Sequence, residues 1–257
     1  MHLAPNIDDV DVPEGFSERL IQVRLANFWR THALKQGAEY DVTVAEERYE
    51  KFCIEFLATL PPVFALKPNE EWDDRLQMLP RQRQILHITI FDSLCYNFRP
   101  ALLQEPSHVQ SLPTYKKVLL SSQRKSLAVA ALNVLEGASK LHAMLGGSPT
   151  RFAGIIAPTF EGAVLLVDLC MDVDFPSKDE DSPPSTFAVD PLGAGRVHVT
   201  RVRCAQAIYD ALSRLRMLGE VSKMAEVGAQ TLARVVGNAP SLHLPSAEPT
   251  LASTNGV

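Results

Sequence analysis

Apolar residues return every third or fourth position in one segment of this chain after another, and prolines or glycines close each segment. Such spacing puts the apolar positions on one face of a 3.6-residue helix; a strand would need alternation by two. Ser17 caps a predicted helix that runs to about Gln36 and stops at Gly37, with Leu20, Val23, Leu25, Phe28 and Trp29 as its apolar face. The next helix opens on a capping box, Thr43-Val44-Ala45-Glu46. There the threonine oxygen and the glutamate each satisfy an orphan backbone N–H. Tyr49, Phe52, Cys53, Phe56, Leu57 and Leu60 follow at helical spacing, and Pro61-Pro62 ends the run.

A third helix is predicted from about Leu76 to Phe98. Ile85, Leu86, Ile88, Phe91, Leu94 and Cys95 cover most of its circumference, as in a central, buried helix. Pro100 is expected to push Arg99 out of the α region and so set the stop. Residues 113–146 read as a long helix, rich in Ala and Leu in its second half and closed by Gly146-Gly147. Residues 149–173 are helical, with a kink or a division into two short helices at Pro158. The acidic, proline-rich stretch 174–195 reads as a loop. Helices over 198–217 and 220–237 form a hairpin at Gly219. The expected architecture is all-α: an extended acidic lead-in at 1–16, a multi-helix domain at 17–237 and a disordered tail at 238–257. Residues 176–190 and the tail are expected to be mobile. Tyr49, Phe52, Phe56, Ile88, Phe91, Leu94, Ile208 and Leu212 are expected in the core.

Charge and cysteine spacing narrow the function classes. A formal net charge of −5 is the wrong sign for autonomous nucleic-acid binding, which needs a basic stripe to displace counterions from phosphate. Cys53, Cys95, Cys170 and Cys204 are far apart and contain no C-x2-C pair, which excludes a zinc finger or zinc cluster built from them. Three of the four fall in apolar stripes and read as buried free thiols, a usage suited to a reducing compartment. The start Met1-His2-Leu3-Ala4-Pro5 lacks the basic and apolar regions of a signal peptide. The longest apolar run, Ala163 to Met171, is broken by Asp168 and falls short of the ~20 residues that cross a bilayer.

Side chains that carry chemistry are scattered. Asp8-Asp9-Val10-Asp11 and Glu70-Glu71-Trp72-Asp73-Asp74 are carboxylate runs of the kind a magnesium-dependent helical enzyme, such as a terpene cyclase, would use. Magnesium needs oxygen ligands converging on one octahedral site, and no second ligand motif follows, so solvated turns are the simpler reading. No two of the seven histidines stand at i, i+4, the helical zinc spacing. His87 is expected to be a hydrogen-bonded histidine at the core or its rim. Gly193-Ala194-Gly195 has two glycines of a dinucleotide fingerprint but lacks the third and the preceding strand. Lys116-Lys117, Arg124-Lys125 and Arg196, Arg201 and Arg203 are modest basic spots without interleaved aromatics. The sequence therefore assigns no catalytic, cofactor-binding or metal-binding residue, and no cofactor.

The order of the helix-boundary motifs resembles that of the fungal-specific transcription factor domain, the middle homology region of binuclear-zinc-cluster regulators. An Asn6-Ile7-Asp8-Asp9-Val10-Asp11 opening comes first, then a helix ending in Leu60-Pro61. Leu79-Pro80-Arg81-Gln82-Arg83-Gln84-Ile85-Leu86-His87 leads into the helix that stops at Arg99-Pro100-Ala101-Leu102-Leu103. A long Ala-rich helix and a terminal hairpin with Cys204-Ala205-Gln206-Ala207-Ile208 complete the series. The resemblance covers most of residues 3–237. It implies a nuclear, all-α regulatory domain that integrates effector or partner signals and is not an enzyme. The family's zinc cluster, and the helices that precede the Asp-rich opening, have no counterpart in these 257 residues. The expectation is thus the regulatory-domain fragment of such a factor, acting through a protein partner or as a homo-oligomer, with residues 1–40 as the exposed edge. A metal-dependent helical enzyme and a helical adaptor are the rival readings. In a mobility-shift assay at physiological salt, the purified chain should show no tight, sequence-dependent binding to duplex DNA.

Overall fold

A computed structural model describes residues 17–32, 40–176, 189–239 and 242, and contains helices and turns with no strand among them. The acidic lead-in, residues 33–39, most of the acidic loop (177–188) and the tail from 240, except Leu242, lie outside the described residues. The architecture is all-α, as its periodicity requires.

Helix α1 (Ser17–Thr31) buries Glu18, Ile21 and Leu25, and Phe28 and Trp29 pack on the core. Leu20 and Val23, expected on that face, are exposed. Ile21, Leu25 and Phe28 make the coherent four-and-three stripe, and at 100° per residue Leu20 falls to its side and Val23 to the opposite face. Helix α2 (Val42–Lys51) starts one residue before the predicted box. Its cap is Asp41, whose carboxylate accepts from the Thr43 N–H at 2.8 Å and from the Thr43 hydroxyl. Asp41 is the stronger cap because it is already extended when the helix begins. Its continuation is not uniform either. Phe52–Phe56 forms a π turn, and Leu57–Thr59 and Pro62–Phe64 are 3-10 turns. The π turn carries Phe52, Cys53 and Phe56 inward. Phe52 stacks on Phe56 at 5.2 Å and on Trp29 at 5.0 Å.

Helix α3 (Leu79–Phe98) carries Pro80 in its first turn and ends where expected, though not for the expected reason. Arg99 keeps helical angles, φ −51° and ψ −38°. What ends the α pattern is the N–H that Pro100 lacks, and the chain tightens into a 3-10 turn at Arg99–Leu102. A short helix that the periodicity does not reveal follows, α4 (Pro106–Ser111). Helix α5 (Thr114–Met144) has 31 residues and ends on Gly146 and Gly147, both at positive φ. Helix α6 (Ala153–Met171) runs unbroken through Pro158. Burial of Ile155, Ile156, Thr159 and Gly162 around the proline holds the helix together despite one lost backbone bond. By length and apolar content α6 would suffice to cross a membrane, a longer apolar element than the run read from the sequence. It is instead a core helix, with 56% of its most apolar window buried. A single-turn helix, α7 (Gly193–Arg196), precedes the hairpin of α8 (Arg201–Gly219) and α9 (Lys223–Gly237). Thr200 and Ser222 cap the last two.

Helices α3, α5 and α6 pack side by side, and the α8–α9 hairpin covers α6. Seven of the eight residues expected in the core are buried; Phe91 is half-buried against it. Beyond α9, Ala239 and Leu242 also join the core.

The Leu79–His87 segment has a structural role. Arg83 is 6% exposed. Its guanidinium grips Asp73 with two bonds, 2.7 and 3.0 Å, and donates to the carbonyl of Val63 at 2.6 Å. One turn on, His87 Nε2 lies 3.2 and 3.0 Å from the carbonyls of Phe64 and Ala65. Burial pushes the imidazole below its ordinary pKa, so the neutral ring donates there. Arg83 and His87 thus fasten the irregular chain between α2 and α3. Removing one partner of a buried pair strands the other, so Arg83→Ala should lower the unfolding free energy by roughly 3 kcal/mol. Glu136→Ala, which breaks the exposed Lys140–Glu136 pair, should change it by no more than about 0.5 kcal/mol. Urea denaturation of both variants checks this.

Candidate functional site

Two constellations place ionisable groups where the fold perturbs them. The first is a polar junction under α2. Glu46 and Tyr49 stand three residues apart on the inner side of that helix. Gln123 comes from α5, and Asp190 and Arg196 from the chain around α7. The Tyr49 hydroxyl donates to Asp190 Oδ1 at 2.5 Å. The same carboxylate oxygen accepts the N–H groups of Leu192 and Gly193 at 3.0 and 2.8 Å. Fully buried Gln123 donates to the Val42 carbonyl at 2.6 Å and to Glu46 at 3.3 Å, and accepts from the Tyr40 hydroxyl at 2.7 Å. Arg196 lies over the Tyr49 ring, 5.8 Å from its centre.

Burial raises the Tyr49 hydroxyl well above its ordinary pKa, and raises Glu46 against the opposing bond from Gln123. Burial also acts upward on Asp190. The Tyr49 hydroxyl, the Arg196 charge and the two backbone N–H groups outweigh it and hold that carboxyl low. Asp190 is therefore an anchored anion. Cys53, beside Tyr49, is pushed up to about 12, chiefly by burial, and is no ready nucleophile. The junction can hold residues 189–196 against α2 and α5; it contains no activated group.

The second constellation is a groove of about 180 Å³ between α3 and α6. Asp92, Cys95, Tyr96 and Arg99 line one wall, and Phe160, Glu161, Val164, Leu165 and Asp168 the other. Burial raises Asp92, helped by the nearby Glu161 charge, and raises Asp168 against the pull of Arg99. The Cys95 thiol is raised well above its ordinary value, mainly by burial. The lining is anionic and aromatic, suited to accepting hydrogen bonds, and offers no nucleophile.

The residues weighed from sequence lie elsewhere. Asp73 of the acidic run is the partner of Arg83, and Asp8, Asp9 and Asp11 lie outside the described residues. Gly193 makes room for the Asp190 carboxylate and Gly195 for Val129; a Cβ at either would overlap those neighbours. The glycine pair is thus a packing device. Part of each basic spot at 116–117 and 124–125 is engaged within the fold. Lys116 pairs with Asp41 and Arg124 with Asp172, each at 2.9 Å. Among the described residues no three His, Cys, Asp or Glu side chains form a metal-binding group. Spacing alone does not bring the groove together, although 92 and 95–96 of α3, with Arg99 just beyond it, face 161, 164–165 and 168 of α6.

The raised Asp92 carboxyl gives a pH test. A carboxyl whose folded pKa exceeds its unfolded value costs nothing below the ordinary carboxylate range. The cost grows as pH rises through the folded value. Asp92→Asn should therefore raise the melting temperature at pH 7, with the gain vanishing near pH 3, as read by calorimetry across that range.

Comparison with known proteins adds two relatives. The chain is 45% identical over 237 residues to the transcription factor xilB of Penicillium rubens, covering 90% of this chain and 34% of that protein. It is 36% identical over 243 residues to the probable transcription factor sol4 of Alternaria solani, covering 92% of this chain and 43% of that protein. No family model matches the chain, and no solved structure does. The chain spans between a third and a half of the length of these relatives, and over nine tenths of its own length it is similar to fungal proteins named as transcription factors.

Proposed function

We propose that the chain is a helical regulatory region of a transcriptional regulator, akin to the fungal-specific transcription factor domain, and that it acts through protein partners and not by reading DNA itself. One observation carries the reading: 45% identity over 90% of the chain to a protein named as a transcription factor. The all-helical fold is consistent with it. So is the engagement of the basic residues: Lys116, Arg124 and Arg201 are bound to groups within the fold. Direct readout of bases needs side chains free to reach a groove. On this reading the chain works in the nucleus and has no catalytic role, and a partner supplies DNA contact. Exposed Leu20 and Val23 on α1 lie within residues 1–40, the edge at which a partner is expected.

The test is to tether the chain to a heterologous DNA-binding domain upstream of a reporter in a fungal host. A change in reporter output of at least several-fold, in either direction, is expected. It should require the tether, and the untethered chain should leave the reporter unchanged. Output identical to the DNA-binding domain alone would remove the regulatory reading and leave a helical adaptor.

A further inference from the structure

The groove between α3 and α6 is charged at its two ends and apolar along its floor. Asp92 and Glu161 stand on opposite walls at one end, Arg99 and Asp168 at the other. On each wall the ends are seven residues apart, about 10 Å at a helical rise. Buried Cys95 and Leu165 form the floor between them. Three carboxylates thus share a groove with one guanidinium. Asp92 feels the Glu161 charge and Asp168 the pull of Arg99, and no ion pair among the described residues neutralises any of the three. The uncompensated end is that of Asp92 and Glu161.

Size and spread decide what kind of cation suits it. Zinc and magnesium need ligands gathered around one centre, and among the described residues no three His, Cys, Asp or Glu side chains converge in that way. A volume of about 180 Å³ also falls short of the roughly 300 Å³ at which pockets for ordinary metabolites begin. One long side chain with an apolar stem and a cationic head fits both limits. Lysine and arginine lay their methylenes on apolar surface and keep the head among polar groups. Arginine adds a planar fork that can reach two carboxylates and a face that stacks on aromatic rings. Phe160, next to Glu161, lines the same wall.

We propose that this groove is a docking site for an arginine side chain of a partner protein, with the guanidinium between Asp92 and Glu161 and the stem along Cys95 and Leu165. The inference rests on the partner-mediated reading above and names the partner's chemistry. Charge complementarity selects that occupant. A protein that supplies DNA contact carries basic segments to displace counterions from phosphate, and this chain, with a formal net charge of −5, offers the opposite sign. Partial burial disfavours the ionised Asp92 carboxyl, and a guanidinium beside it offsets that cost.

The test titrates N-acetyl-arginine methylamide into the isotope-labelled chain and follows the backbone amides by NMR. Saturable shifts in the millimolar range are expected at residues 92–99 and 160–168, the two walls. The citrulline analogue, of the same shape without the charge, should produce none. Asp92→Asn combined with Glu161→Gln, both at exposed positions, should weaken binding roughly tenfold. Asp168→Asn, at the end Arg99 already offsets, should weaken it no more than about twofold. Shifts centred elsewhere, equal binding of the citrulline analogue, or tighter binding of the free diamine putrescine would overturn the arginine site. In the tethered reporter, the double variant should lose most of the wild-type change in output while its melting curve shows it folded. Output equal to wild type would overturn the docking role. A wild-type chain that leaves the reporter unchanged removes the regulatory reading instead, and the arginine titration then decides the groove by itself.

Discussion

Close approach to the alanine-rich half of α5 is the constraint on which the rest of the fold depends. Ala128, Ala130, Ala131 and Ala138 are fully buried there. Three neighbours come in at glycines or onto them. A Cβ on Gly137 of α5 would lie 2.8 Å from Ile88 of α3, and one on Gly162 of α6 would lie 3.2 Å from Leu135 of α5. Gly195 of α7 lies over Val129. Interiors are packed to crystal-like density, so these small residues set the spacing of the layers. Helix α6 can then be buried between α5 and the terminal hairpin although its composition would suit a lipid environment.

Polar side chains complete what apolar packing leaves irregular. The chain between α2 and α3, and the stretch from Val189 to Arg196, lack the regular backbone bonding of a long helix. Each is fixed instead by buried or half-buried groups from a neighbouring helix: Arg83 and His87 on the first, Tyr49 on the second. Charge-assisted bonds in a low-dielectric setting are strong, and the two-bond grip of Arg83 on Asp73 is of that kind. The motif that is most conspicuous in the sequence, the Arg- and Gln-rich start of α3, is in large part such a fastening.

This arrangement bears on function. In the two constellations the perturbed groups are raised carboxyls, raised thiols and a raised phenol, with Asp190 as an anchored anion. A helical body that binds Lys116, Arg124 and Arg201 internally, and leaves Leu20 and Val23 of α1 in solvent, is compatible with the proposed regulatory role. Similarity to proteins named as transcription factors points the same way.

Helix content, most helix ends and seven of eight core positions were legible in the sequence, because three-and-four spacing, Pro61 and Gly146-Gly147 act through local geometry. Tertiary packing decided the rest. It chose Ile21 over Leu20 and Val23 as the buried face of α1, and it kept α6 whole across Pro158. It also made Asp41 the cap and released Glu46 to meet Gln123. The groove between α3 and α6 joins residues on different helices. Spacing within one helix carries no information about which turn of another will face it. That is settled only when the layers pack.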